Sequence, residues 1–217
     1  MPGKMFRNIH EIFSSTIQGE GSNAGRLCSF LRLYGCPVGC TFCDTGYSKQ
    51  DGHGKNIQKF NLTNKELAEQ LAENFVVISG GEPASHPQFM EIINFLLLLN
   101  KTVAIETSGT RFFKIEDKRV WVTVSPKIHM APSRYKETSY LMWAVADELK
   151  FVIEDKESWD FYSQEVVKFH STQKNIPIYL QPEWSVKDKG LPVILDIIRR
   201  YPFIKLSVQT HKYLGLD

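Results

Sequence analysis

The chain has 217 residues, 42% hydrophobic and 23% charged, with a formal net charge of +2. That is the make-up of one globular domain able to bury a core, and it argues against a disordered chain. The longest strongly apolar run, residues 95–99, is far too short to span a bilayer, and residues 1–10 contain no apolar core of a secretory leader. The expected setting is the cytoplasm. Basic residues are spread along the chain rather than clustered, so neither nucleic acid nor an anionic membrane is an expected partner.

In chain order, strands are expected at 27–34, 75–79, 102–107, 120–124, 148–153, 176–181 and 204–208, runs rich in Val, Ile, Phe and Tyr. Their near-continuous apolar character suits a parallel sheet covered by helices. Helical patterns lie between them. Thr63 with Glu66 three residues on is a capping-box signature, followed by Leu67 and Leu71 on one face. Residues 88–100 carry Phe89, Ile92, Ile93, Leu96 and Leu97 at helical spacing, and 157–169 and 191–201 behave similarly. The polar stretch 47–61 and the stretch 126–138 read as loops. The expected class is α/β, a single domain over 1–217. Its architecture is an open, partial (β/α) barrel of about six parallel strands with modified helices, because some seven strands are too few to close an eight-stranded barrel.

All four cysteines, Cys28, Cys36, Cys40 and Cys43, fall in one short region, and none occurs after Cys43. A disulfide framework would scatter its cysteines, so the clustering points to metal or redox chemistry. Cys36, Cys40 and Cys43 form C-x3-C-x2-C directly after the first expected strand. Pro37 and Gly39 disfavour a helix there and favour a loop wrapped around a soft metal centre. Three thiolates suit an iron–sulfur cluster with one iron left open. Zinc with a fourth ligand from Cys28 or a histidine is the alternative on the motif alone. Cys28 lies within the strand pattern and reads as a core residue. After the second expected strand comes Ser79-Gly80-Gly81-Glu82-Pro83, a backbone built for close approach beside a carboxylate.

The cysteine spacing and the following double glycine with glutamate resemble the radical S-adenosylmethionine superfamily. The resemblance implies a four-iron, four-sulfur cluster on Cys36, Cys40 and Cys43, chelated by S-adenosylmethionine, with Phe42 beside it. It assigns the methionine ammonium to Gly81 and Glu82, and implies reduction by a flavodoxin or ferredoxin.

Further segments are similar to one family, the 7-carboxy-7-deazaguanine synthases. They include Gln18-Gly19-Glu20-Gly21, Phe30-Leu31-Arg32-Leu33, Cys43-Asp44-Thr45, Glu106-Thr107-Ser108-Gly109-Thr110, Ser125-Pro126-Lys127, Leu149-Lys150-Phe151-Val152, Leu180-Gln181-Pro182 and Gln209-Thr210-His211-Lys212. Membership implies a lyase, acting as a homodimer, that contracts 6-carboxy-5,6,7,8-tetrahydropterin to 7-carboxy-7-deazaguanine with loss of ammonia, on the route to queuosine in tRNA. Matched motif by motif, Gln18, Gly19, Glu20, Ser79, His211 and the terminal Asp217 would hold the pterin. Arg32 would pair with its carboxylate through a guanidinium fork, an expectation strengthened by the penalty of burying an unpaired Arg in a strand. Thr45 would ligate Mg2+. Ser125, Pro126 and Lys127, with Gln181, Pro182, Glu183 and Trp184, would hold S-adenosylmethionine. Ser79, Pro37 and the Glu183-Trp184 pair depart from the family's usual residues.

Overall fold

A computed structural model describes residues 3–40, 43, 45–46, 57–127, 140–172 and 176–216. All its strands join one sheet. The chain runs β1 (Met5–Ile17), β2 (Leu27–Leu33), β3 (Phe60–Thr63), α1 (Asn64–Gln70), β4 (Phe75–Gly80) and α2 (Phe89–Leu98). It continues β5 (Thr102–Thr107), β6 (Val120–Val124), β7 (Glu148–Ile153), α3 (Lys156–Thr172), β8 (Ile178–Pro182), α4 (Lys187–Arg200), β9 (Ile204–Leu206) and α5 (Thr210–Leu214). The strand order is β3-β1-β2-β4-β5-β6-β7-β8-β9. From β2 onward every neighbouring pair is parallel, whereas β1 pairs antiparallel with both β2 and β3.

All seven expected strands are present and parallel to one another, one more than the expected count of about six. The open architecture follows from a strand order that ends on β3 and β9. Two strands were not expected. The start of β3 falls inside the stretch read as a loop, of which 47–56 lies outside the described residues. In β1 the apolar residues Phe6, Ile9, Ile12 and Phe13 are spaced irregularly, and regular alternation is absent. The physical reason is in the backbone: Asn8 and Ser15 take positive φ of 54° and 58°, and the register shifts between Phe6 and Ile9 against β3 and at two further points against β2. Each bulge inserts a residue and re-aims the side chains after it, so Phe6 and Ile9 both reach the core.

Side-chain alternation divides the parallel sheet into two unlike faces. Leu31, Ile78, Ile105, Val122, Phe151 and Leu180 point to the helix face and form the main core with α2 and α4. On the other face Cys28, Phe75, Val77 and Ala104 make a small apolar floor, with Phe30 and Trp121 against it. Towards the C-terminal ends of the strands this second face turns polar. The α1 capping box is formed: Glu66 N–H donates to Thr63 Oγ1 at 3.2 Å, and Thr63 N–H to Glu66 Oε2 at 2.7 Å. A cap of this kind stabilises a helix by about 1 kcal/mol.

Residues 18–23, between β1 and β2, cross to the far strands. Gly21 N–H donates to Ser207 Oγ at 3.1 Å, Ser22 N–H to Glu148 Oε2 at 2.8 Å, and Thr210 N–H to Gly19 O at 3.0 Å. Side-chain and loop bonds thus bridge the two sides of the open sheet. Among the described residues no helix is long and apolar enough to cross a membrane.

Candidate active site

The polar face borders a cavity of about 290 Å³, near the lower end of small-molecule sites. Its wall includes Cys36, Cys40 and Cys43, brought there by the loop that leaves β2. The end of β4 holds this loop from behind. Gly81 N–H donates to Leu33 O and Glu82 N–H to Gly35 O, both at 2.9 Å. A Cβ on Gly81 would lie 2.0 Å from Gly35 O, and one on Gly80, whose φ is +124°, only 2.2 Å from Leu33 O. The paired glycines are therefore required by backbone packing between the two motifs.

The donor set fits an iron–sulfur cluster. Burial pushes the Cys36 thiol up to about 11 and raises Cys40 as well, so it is a bound cation that would make them thiolates at neutral pH. Cys28 is fully buried in the apolar floor and does not line the cavity. Among the described residues no three His, Cys, Asp or Glu side chains converge on a single-ion site. Phe42 lies outside the described residues.

Glu82 is 2% exposed and accepts four hydrogen bonds. Ala84 N–H (3.1 Å) and Thr107 Oγ1 (2.6 Å) donate to Oε1, while Ser108 N–H (2.8 Å) and the Ser108 hydroxyl donate to Oε2. Four donors fill a carboxylate. Glu82 thus braces the end of β4 against the end of β5. The Ser108 hydroxyl has a second acceptor, Thr110 Oγ1 at 3.1 Å.

On the β2 side Arg32 lines the cavity beside Phe13, Phe30 and Ser79. Its Nε lies 3.2 Å from Glu11 Oε2 without hydrogen-bond geometry, so that buried nitrogen is unsatisfied. Its Nη1 reaches Thr45 Oγ1 at 3.4 Å, and Thr45 Oγ1 lies 3.5 Å from Gly80 O.

The strands β5 and β7 contribute Glu106 and Lys150. Lys150 Nζ donates to Glu106 Oε2 at 2.9 Å and to Glu20 Oε2. Gln18 Nε2 completes Glu106 Oε1 at 2.9 Å, and Gln209 Nε2 completes Glu20 Oε1 at 2.8 Å. Gly19 itself does not line the cavity. It lies under His211, where a Cβ would come within 1.9 Å of Nδ1, and so lets His211 reach the wall. Sequence reasoning quoted the segments holding Glu106 and Lys150 but gave those residues no role. The signal was available: a charged residue inside an apolar strand, the same argument that singled out Arg32.

Lys127 turns back onto Ser125, donating to its O at 2.9 Å and to Oγ at 2.7 Å. Both line the cavity, whereas Pro126 does not: its carbonyl accepts from Tyr162 Oη at 3.2 Å. Gln181 lines the cavity and accepts from Ser207 Oγ at 2.8 Å; Pro182, Glu183 and Trp184 follow it on the wall. Glu183 caps the next turn by accepting from Val186 N–H at 3.1 Å. Trp184 meets the Tyr213 ring edge-on with centroids 5.0 Å apart, which ties this wall to α5. Asp217 lies outside the described residues.

The radical SAM superfamily model matches residues 31–127, from within β2 through the cysteine motif to Lys127. The chain is 31% identical to the 7-carboxy-7-deazaguanine synthase of Flavobacterium psychrophilum, over 99% of this chain and 94% of that protein. It is 33% identical to the synthase of Synechocystis sp. over 96% and 92%, and 34% identical to that of Buchnera aphidicola over 98% and 100%. The crystal structure of QueE from Escherichia coli superposes with a TM-score of 0.71 over 94% of both chains, at 27% identity. Similarity of this extent runs through both walls of the cavity as well as the cysteine loop. The chain belongs to the 7-carboxy-7-deazaguanine synthase family of radical S-adenosylmethionine enzymes.

Proposed function

We propose that the chain converts 6-carboxy-5,6,7,8-tetrahydropterin to 7-carboxy-7-deazaguanine and ammonia, as a lyase. When bound, the cluster on Cys36, Cys40 and Cys43 together with S-adenosylmethionine supplies the radical that starts the ring contraction. The observation that carries the substrate is the charge pattern of the wall. An Arg with an unsatisfied buried Nε stands on β2, while the carboxylates of Glu106 on β5 and Glu20 on the crossing segment face the same cavity with the amides of Gln18 and Gln209 beside them. A pterin acid matches both: its carboxylate suits the guanidinium, and its amino and ring N–H groups suit Glu20 and Glu106. Ser79 and His211 complete the substrate wall, with Gly19 giving His211 room, and Asp217 would add an acceptor.

Thr45 supplies a hydroxyl beside Arg32, a position from which it would ligate Mg2+ shared with the substrate carboxylate. Gly81 and Glu82 would receive the methionine end of S-adenosylmethionine, after exchange of the Ser108 hydroxyl. Phe42, Ser125, Pro126, Lys127 and residues 181–184 would enclose the rest, Pro126 through its backbone. The Glu183 and Trp184 side chains are engaged in capping and ring packing, so their share is in the backbone and the shape of the wall. The enzyme works as a single domain in a cytoplasmic homodimer reduced by a flavodoxin or ferredoxin, with no nucleic acid or membrane taking part.

The test is anaerobic turnover of the reconstituted protein with S-adenosylmethionine, Mg2+, a reductant and the tetrahydropterin acid. Formation of 7-carboxy-7-deazaguanine, with S-adenosylmethionine recovered, is the expected result. Protein that carries four irons and cleaves S-adenosylmethionine but leaves the pterin unchanged overturns the reading.

A further inference from the structure

Three of the acids on the cavity wall are held in different ways. Glu82 already accepts four hydrogen bonds and has no acceptor capacity left. Glu20 and Glu106, among the described residues, accept one donor at each oxygen and retain about half their capacity. Among the described residues the only donor they share is Lys150, whose side chain is 5% exposed. We propose that Lys150 is a positioning residue that pins Glu20 and Glu106 side by side, with their unused lone pairs turned to the N–H groups of the substrate's amino-pyrimidinone ring. This rests on the functional reading above and deepens it.

The arrangement needs the lysine for two physical reasons. Glu20 sits on a crossing segment and Glu106 on β5, so no backbone ladder pairs them; Gln18 ties the segment to one oxygen of Glu106, and Lys150 from β7 is the donor that joins the two carboxylates directly. Two buried carboxylates without a cation also repel, and one of them takes up a proton. The environment is crowded with charge. Glu148 on β7 faces Glu106, and His211 and Lys127 face Glu20. Even with Lys150 present, burial first, and then Glu20 and Glu148, push Glu106 up to about 7. Burial works against the Glu20 charge too, but Lys150, with Gln209 and His211, holds that carboxyl down at about 2. A protonated carboxyl gives up acceptor capacity, so loss of Lys150 closes the receptor for N–H donors near neutral pH.

The experiment compares the reconstituted holoenzyme with Lys150→Met and Lys150→Arg, using fluorescence titration with 6-carboxypterin as the probe and steady-state kinetics on the tetrahydropterin acid. Lys150→Met is expected to weaken probe binding by about tenfold or more at neutral pH, since a buried charge partner is removed. KM should rise more than kcat falls, and the pH at which binding is half-lost should move upward. Lys150→Arg should recover part of the affinity, and iron content should stay at the wild-type level in both variants. Unchanged binding with an unchanged pH profile in Lys150→Met overturns the proposal. Loss of iron together with pterin binding also overturns it, in favour of a general scaffolding role. Wild-type protein that neither binds 6-carboxypterin nor converts the substrate defeats the functional reading itself, an outcome distinct from a competent wild type with an indifferent variant.

Discussion

Arg32 and Cys28 occupy the same face of β2 four residues apart, one at the open end of the cavity and one in its apolar floor. Position along the strand therefore separates chemistry from packing. Arg32→Lys keeps the charge but gives up the planar fork. The expected loss in affinity for the pterin acid is roughly 1.5–3 kcal/mol, with S-adenosylmethionine binding little changed; equal affinities in calorimetry would remove Arg32 from the substrate site. For the cysteines the expectation is opposite behaviour at neighbouring positions. Cys36→Ala, Cys40→Ala and Cys43→Ala should each abolish cluster assembly, while Cys28→Ala should retain the iron and show only a packing deficit. Iron and sulfide analysis of the four variants decides it, and cluster loss in Cys28→Ala alone would reverse the ligand assignment.

At the scale of elements, the site is a set of strand ends and crossing loops locked to one another by backbone contact. The end of β4 presses on the cysteine loop through Gly81, whose added Cβ would meet Gly35 O at 2.0 Å. Gly81→Ala is expected to displace that loop and lower iron incorporation several-fold, by the mechanism of steric overpacking against backbone, measured by iron per chain after reconstitution. Normal loading would show that the contact yields. The last element acts on the other wall. There α5 follows β9 after three residues, and Leu216 N–H closes onto His211 O at 2.9 Å. Removing residues 214–217 takes away that closure and loosens His211. The expected outcome is a raised KM for the pterin with unchanged iron content, and unaltered kinetics would return the terminus to a passive role.

The whole molecule shares the charge balance set at the Glu20–Lys150–Glu106 bridge. Glu106 has a folded-state value of about 7 against an ordinary 4.5. A raised carboxyl contributes stability that is full below 4.5 and lost as pH rises towards 7. Glu20, held at about 2, works the other way: its contribution is full above 4.5 and lost as pH falls towards 2. The two oppose each other across the acid range. Glu106→Gln should remove the decline that begins above 4.5. Relative to wild type the variant should gain on the order of 1–3 kcal/mol between about pH 5 and pH 7.5. Denaturant midpoints at the two pH values measure this directly, and a constant difference between the proteins would show that Glu106 is not the titrating group.

The class of fold, the positions of seven parallel strands along the chain and a thiolate-rich metal site were legible in the sequence, and the resemblance to a known family made that site an iron–sulfur cluster. Those properties are local: apolar runs of strand length, helical periodicity between them, and three thiols whose spacing confines them to one loop. The sequence also singled out Arg32, because a charge in an apolar strand demands a partner whatever that partner is. Relations between distant residues become visible only in the folded chain. The bulges of β1 hide its alternation, so its place in the sheet follows from pairing with β2 and not from its own pattern. The double glycine proved to be a requirement of packing against Leu33 and Gly35, and Glu82 a brace saturated by Ala84, Thr107 and Ser108. Glu20, Glu106 and Lys150 lie far apart in the chain and meet because residues 18–23 cross the open sheet. The Lys150 ammonium has its desolvation offset by the two carboxylates that converge on it, and that convergence is set by the path of the chain in space.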